Sequence, residues 1–159
     1  MKRILIFGNS GSGKSTLAAK LSKAENLAHL DLDTLAWLPS NPPQRSPLEV
    51  SQKAIQEFTD KHQAWVVEGC YADLLELLAT EATEIIFMNL PIELCVENAR
   101  NRPWEPHKYA SKQEQDENLA MLIDWIRQYD GRHDEFSLRA HKSLYDSFSG
   151  KKRMAASNE

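Results

Sequence analysis

The sequence predicts an α/β fold in which a parallel β-sheet is covered on both faces by helices. Three observations predict it. Short apolar runs alternate along the whole chain with stretches of helical periodicity, the pattern of repeated βαβ units. The runs are continuous rather than alternately apolar and polar, as in strands buried on both faces. No internal repeat or linker-like stretch interrupts them, and 159 residues suit one domain around one continuous core.

Ile4 to Phe7, stopped by Gly8, is the first strand. Leu17, Leu21 and Ala24 then recur at helical spacing and predict a helix from about Lys14 to Ala24. Ala28 to Asp33 reads as the second strand, and Pro39, Pro42 and Pro43 mark an exposed loop that cannot continue it, a candidate substrate rim. Ser46-Pro47-Leu48-Glu49 has the form of a capping box with proline at the first helical position, and predicts a helix to about Lys61. Trp65-Val66-Val67 and Glu84 to Leu90 are the third and fourth strands, separated by a leucine-rich helix near Leu74 to Ala79. Pro91 opens a helix through Ala99. Periodicity fails between Asn101 and Lys112, as in a mobile insertion, and Leu119, Leu122, Ile126 and Tyr129 restore a helical stripe. Within Lys151 to Ser157, Met154-Ala155-Ala156 closes the sheet as a fifth strand.

Composition narrows the partners. Nineteen basic against twenty-three acidic side chains give a net charge of −4, so no global positive field exists to hold nucleic acid or an anionic membrane. Cys70 and Cys95 form no CxxC or Cys/His cluster, and the five histidines, His29, His62, His107, His133 and His141, show no metal-ligand spacing. Met1-Lys2-Arg3 is followed by too short an apolar run for a signal peptide or membrane span. A soluble cytoplasmic protein, monomeric or weakly dimeric, is expected.

In a parallel sheet ligands bind beyond the carboxyl ends of the strands. There stands Gly8-Asn9-Ser10-Gly11-Ser12-Gly13-Lys14-Ser15, which matches G-x-x-x-x-G-K-[ST] between a strand and a helix, the context that the P-loop motif requires. The glycines let backbone N–H groups turn inward around anionic oxygens, and the helix N-terminus adds partial positive charge. Lys14 is expected to reach the β and γ phosphates, Ser15 to ligate Mg²⁺ through its hydroxyl, and Thr16 to assist.

With the P-loop, three further segments carry a resemblance: Leu32-Asp33-Thr34-Leu35-Ala36-Trp37, Trp65-Val66-Val67-Glu68-Gly69 and Ile85 to Pro91. Asp116-Glu117-Asn118 and Tyr129 add the end of a lid and its following helix. In their order and spacing the sequence resembles the P-loop kinases of the adenylate kinase superfamily, and more closely the related bacterial group called topology modulation proteins, over most of its length. The resemblance implies a three-layer P-loop NTPase fold whose five parallel strands run in the order 2-3-1-4-5. It implies a short lid at about residues 101–118 that closes over ATP, with Mg²⁺, and phosphoryl transfer to a small acceptor.

Asp31 and Asp33, ~6.8 Å apart on one strand face at ~3.4 Å per residue, match the D-x-D with which such kinases hold an acceptor hydroxyl. Alternatively Asp31 is a solvated strand residue and Asp33 an N-cap for the turn at Thr34. Glu68-Gly69 stands where the family has Asp-Gly, and Glu68 would hold Mg²⁺ through water. Cys70-Tyr71-Ala72 then replaces the family's AMP-binding arginine, which argues against AMP as acceptor. Arg100 and Arg102, with Lys108 and Lys112, begin where the family brings arginines to the transferring phosphate, although a solvated charge run looks the same in sequence. Arg127 and Arg132 are further candidates, Trp37 and Tyr71 would line the acceptor pocket, and Trp65 and Trp125 belong to the core. The rival to a kinase is an ATP-dependent regulatory module acting on DNA topology or a protein partner, with Lys151-Lys152-Arg153 as its local support.

Overall fold

The structure, a computed structural model, describes residues 1–40 and 42–158. Five parallel strands form the sheet: β1 (Arg3–Gly8), β2 (Ala28–Asp31), β5 (Trp65–Gly69), β6 (Glu84–Met88) and β7 (Lys151–Ala155). Their spatial order is β2-β5-β1-β6-β7. Counted among these five alone, the order is the expected 2-3-1-4-5.

The apolar runs divide between the two faces by strand parity. Leu5, Phe7, Val67, Ile85 and Phe87 point to one side and pack with α2 (Leu48–Lys61), α3 (Ala72–Ala79) and α6 (Leu138–Ser147). Ile4, Ile6, Val66, Ile86 and Met88 point to the other, against α1 (Lys14–Glu25), α4 (Ile92–Arg100) and α5 (Lys112–Arg127). Phe7 and Phe87, neighbours in register on β1 and β6, stack with ring centroids 5.1 Å apart. Full burial of such a side chain contributes roughly 1.5–3 kcal/mol.

Several elements depart from expectation. β2 ends at Asp31, and Leu32–Thr34 form a 3₁₀ turn, because the Asp31 carboxylate accepts a hydrogen bond from the Asp33 N–H at 2.9 Å and turns the chain out of the sheet. The proline loop is framed by a small antiparallel hairpin of β3 (Trp37–Leu38) and β4 (Gln44–Arg45). No capping box forms at α2: Pro47 takes the N-cap position without a side-chain bond, and the Ser46 N–H goes to the Ala36 carbonyl instead. The α4–α5 connection is shorter than the expected lid, since Ser111 caps α5 by accepting from the Glu114 N–H at 3.1 Å. Helix α6 was not anticipated. The last strand starts three residues early, at Lys151.

On this edge strand Lys151 pairs with Glu84 at 3.8 Å and Lys152 lies 4.8 Å from the Tyr145 ring. Edge lysines of this kind discourage pairing with another chain. Among the described residues no helix is long and apolar enough to cross a membrane.

Candidate active site

Parallel strands all end on one edge, and there a cavity of about 720 Å³ opens. Its floor is the loop between β1 and α1. Gly11 and Gly13 adopt φ of +78° and +86°, the left-handed region that glycine enters without strain. Gly11 also lies so close to the Cys95 carbonyl on α4 that a side chain there would collide with it. The loop is therefore held from behind, and Gly8 packs likewise against the Met88 carbonyl.

Ser10, Gly11, Gly13, Lys14, Ser15 and Thr16 line the cavity. Asn9 is buried and donates to the Ile126 carbonyl at 3.1 Å, tying the loop to α5. Lys14 Nζ rests on the Asn9 carbonyl at 2.7 Å. Ser12 Oγ is buried and, among the described residues, has no hydrogen-bond partner. Two residues outside the motif complete the support. Asn98 on α4 donates to the Gly11 carbonyl at 2.9 Å, and Asn158, beyond β7, donates to the Ser12 carbonyl at 2.9 Å. With their carbonyls so engaged, these peptide units keep a fixed orientation.

Glu68, at the end of β5, is only 2% exposed. Its Oε1 accepts from Ser15 Oγ at 2.6 Å, and its Oε2 lies 2.6 Å from His29 Nε2. The hydrogen bond to Glu68 raises the His29 pKa above the ordinary imidazole value, against the lowering effect of burial. Asp31, Asp33 and Gly69 face the same cavity. Burial, then the neighbouring Asp33 and Glu68 charges, raise the Asp31 pKa. Burial pushes Asp33 the same way, but the Lys108 ammonium and the Tyr71 hydroxyl outweigh it and hold Asp33 below the usual carboxylate value. Lys108, from the α4–α5 connection, reaches Asp33 at 3.2 Å and Asp31 at 4.0 Å.

Other candidates are placed differently from expectation. Asp31 and Asp33 do not share one strand face, because the cap described above bends the chain between them. Trp37 and Tyr71 stand behind the cavity wall: Trp37 Nε1 donates to the Tyr71 hydroxyl at 2.8 Å, and that hydroxyl donates to Asp33. Neither is part of the cavity lining, and their polar atoms lead to the Asp33 carboxylate. Arg102 lines the cavity and pairs with Glu105 at 3.3 Å, whereas Arg100 is exposed on α4 and is not part of the lining. Arg127 pairs with Glu93 on the outer surface. Arg132 lies 3.8 Å from the Trp125 ring and pairs with Asp134 at 2.6 Å, also away from the cavity. Long cations go to whichever carboxylate or ring the fold brings near, and sequence spacing does not reveal which.

Cys70 is unsuited to nucleophilic chemistry, since burial pushes its thiol up to about 12. His29, Asn98 and Asn158 were missed by sequence reasoning. Only His29 carried a signal, standing two residues before Asp31 and so on the same strand face.

The donors beside the loop are the Ser15 hydroxyl and the Glu68 carboxylate, both oxygens. Among the described residues no group of three or more His, Cys, Asp or Glu is arranged to hold a metal by itself. This set fits Mg²⁺, which takes one or two protein ligands and completes its shell with water and substrate phosphates.

Residues 4–122 match the family model described as an AAA domain. Over 144 residues the chain is 28% identical to the uncharacterized protein YqaC of Bacillus subtilis (strain 168), covering 87% of this chain and 79% of YqaC. Among solved structures, an unliganded sugar kinase from Janibacter sp. HTCC2649 superposes with a TM-score of 0.53 at 11% identity, over 97% of this chain and 84% of that one. A shikimate kinase from Aquifex aeolicus vf5 gives 0.48 at 17% identity, over 79% and 92%. The likeness to the sugar kinase is one of fold.

Proposed function

The chain belongs to the AAA domain family, and we propose from that premise that it is a phosphotransferase passing the γ-phosphate of MgATP to a small hydroxylated acceptor. The observation that carries the reading is a single cavity lined both by the P-loop and by two aspartates, Asp31 and Asp33. A nucleotide-hydrolysing module needs the first; a carboxylate pair reached by a lysine across the same space suits a second substrate.

In this reading the loop amides and Lys14 hold the polyphosphate, and Ser15 and Glu68 hold Mg²⁺, Glu68 through water. Magnesium, when bound, neutralises charge on the β and γ oxygens. Asp33 orients the acceptor hydroxyl and takes up its proton, with Tyr71 fixing the carboxylate from behind. Arg102, which lines the cavity, meets the transferring phosphate in this reading. The chain acts as one P-loop kinase-like domain whose lid is the α4–α5 connection, residues 101–111, and catalysis is positioning and electrostatics. The finer placement among adenylate kinase-like enzymes, near the topology modulation group, belongs to this proposal, as does a cytoplasmic setting.

The test is ADP release from MgATP across a panel of nucleosides, sugars and other hydroxylated metabolites. A true acceptor raises release above basal hydrolysis and appears phosphorylated by mass spectrometry. Absence of nucleotide binding by calorimetry at millimolar MgATP refutes the reading.

A further inference from the structure

We infer that His29 is a positioning residue for the magnesium side of the nucleotide site, acting on Ser15 through Glu68; this rests on the MgATP reading above. A carboxylate at a strand end has two oxygens to satisfy, and Glu68 is almost wholly buried. Both oxygens are taken, one by His29 Nε2 and one by Ser15 Oγ, each at 2.6 Å. The chain His29–Glu68–Ser15 thus links β2, β5 and the first turn of α1.

Its consequence follows from hydroxyl geometry. A serine hydroxyl has one proton to donate and two lone pairs to offer. Donation to Glu68 commits the proton backward, so the lone pairs of Ser15 face away from Glu68, into the cavity that Ser15 lines. Without His29, the Glu68 carboxyl would keep a single side-chain partner and be free to rotate about its terminal torsion. Ser15 would then lose the fixed acceptor that aims it.

Strand register supports a built contact. Asp31 pairs in register with Glu68, and His29 stands two residues earlier on the same face of β2. The imidazole can therefore reach the next-but-one position of β5 diagonally, within the span of a long side chain. Outer partners that orient metal-binding groups have a known cost of removal, ~10–100-fold in metal affinity.

The test uses ADP and magnesium as probes, read by calorimetry instead of turnover. In His29→Leu, the Mg²⁺ concentration that half-saturates the enhancement of ADP binding rises by at least ~10-fold, while ADP binding in EDTA stays within about twofold of wild type. His29→Gln, which keeps an N–H donor at similar reach, recovers most of the loss. In a Ser15→Ala background His29→Leu adds a smaller loss than it causes in the wild type, because the route through Ser15 is already cut and only the effect on Glu68 itself is left; a full, additive loss in that background overturns the route through Ser15.

An unchanged magnesium requirement in His29→Leu overturns the inference alone, provided the wild type responds to magnesium. An equal loss of binding with and without the metal also overturns it, showing a general structural role. A wild type indifferent to magnesium overturns both the inference and the MgATP reading.

Discussion

Protonation of His141 is predicted to set part of the acid limit of this fold. The side chain is fully buried on α6, packed edge-on against Phe7 and Phe87. Its Nε2 donates to the Cys70 carbonyl at 2.8 Å, and its Nδ1 accepts from the Tyr129 hydroxyl at 2.8 Å. The Tyr129 pKa is itself pushed up by burial, so the phenol remains a donor. A second proton on the ring would confront that donor with another and place a charge in an apolar setting. Burial accordingly lowers the His141 pKa from 6.5 to about 4.

The sign follows from linkage. The folded pKa lies below the unfolded one, so stability is whole above about pH 6.5. As pH falls, the unfolded chain takes up a proton that the folded chain refuses, until about pH 4. Over that window the loss is roughly 3 kcal/mol, at ~1.36 kcal/mol per pH unit. Urea unfolding followed by tryptophan fluorescence, at steps from pH 7.5 to pH 4, measures it. His141→Gln starts ~1–3 kcal/mol less stable at neutral pH because partners are lost. Its stability then falls less steeply with acid, and the wild-type minus variant difference shrinks by roughly 3 kcal/mol. Carboxylates common to both chains cancel in this difference. Parallel pH curves for the two proteins refute the assignment.

Lys14→Ala is expected to abolish MgATP turnover with circular dichroism unchanged; wild-type turnover in this variant refutes the phosphate role. Gly11→Ala must adopt a left-handed φ and push against the Cys95 carbonyl, and should cost ~1–3 kcal/mol in urea unfolding; a loss within error shows that the loop relaxes freely. Asp31→Ala removes the cap of the 3₁₀ turn and should cost ~1 kcal/mol. Asp33→Asn should leave stability nearly intact but lower acceptor-dependent kcat by ~10²-fold or more; equal kinetic losses in the two variants contradict the division of roles.

The parallel sheet and its loop were legible because both are written in consecutive residues. Four-residue apolar runs and a glycine-rich turn before a lysine need no tertiary information. Elements that depend on distant partners were not legible. The strands of the β3–β4 hairpin have two residues each, too few for periodicity. They are held by Arg45, whose guanidinium reaches Asp73 at 3.1 Å and Glu135 at 2.8 Å. Helix α6 buries Leu144 beside His141, and a stripe containing a histidine reads as polar until the fold supplies the Tyr129 and Cys70 partners.

The same distinction separates two parts of the cavity lining. Beside the loop the chemistry lies in backbone conformation, which the local sequence dictates, and the motif named the loop residues that line the cavity, though not the Asn98 and Asn158 that hold them. Around Asp33, the proposed acceptor site, the arrangement depends on side chains that meet across long separations. Tyr71 reaches Asp33 across 38 positions and Lys108 reaches it across 75. Spacing alone assigned Tyr71 to a ligand-facing role, whereas the fold turns its hydroxyl toward a carboxylate. Acceptor preference should accordingly be explored by varying Asp33, Lys108 and Arg102, which face the cavity, before the aromatic residues behind it. Changes to Trp37 or Tyr71 would move kcat through the orientation of Asp33 with little selectivity between acceptors.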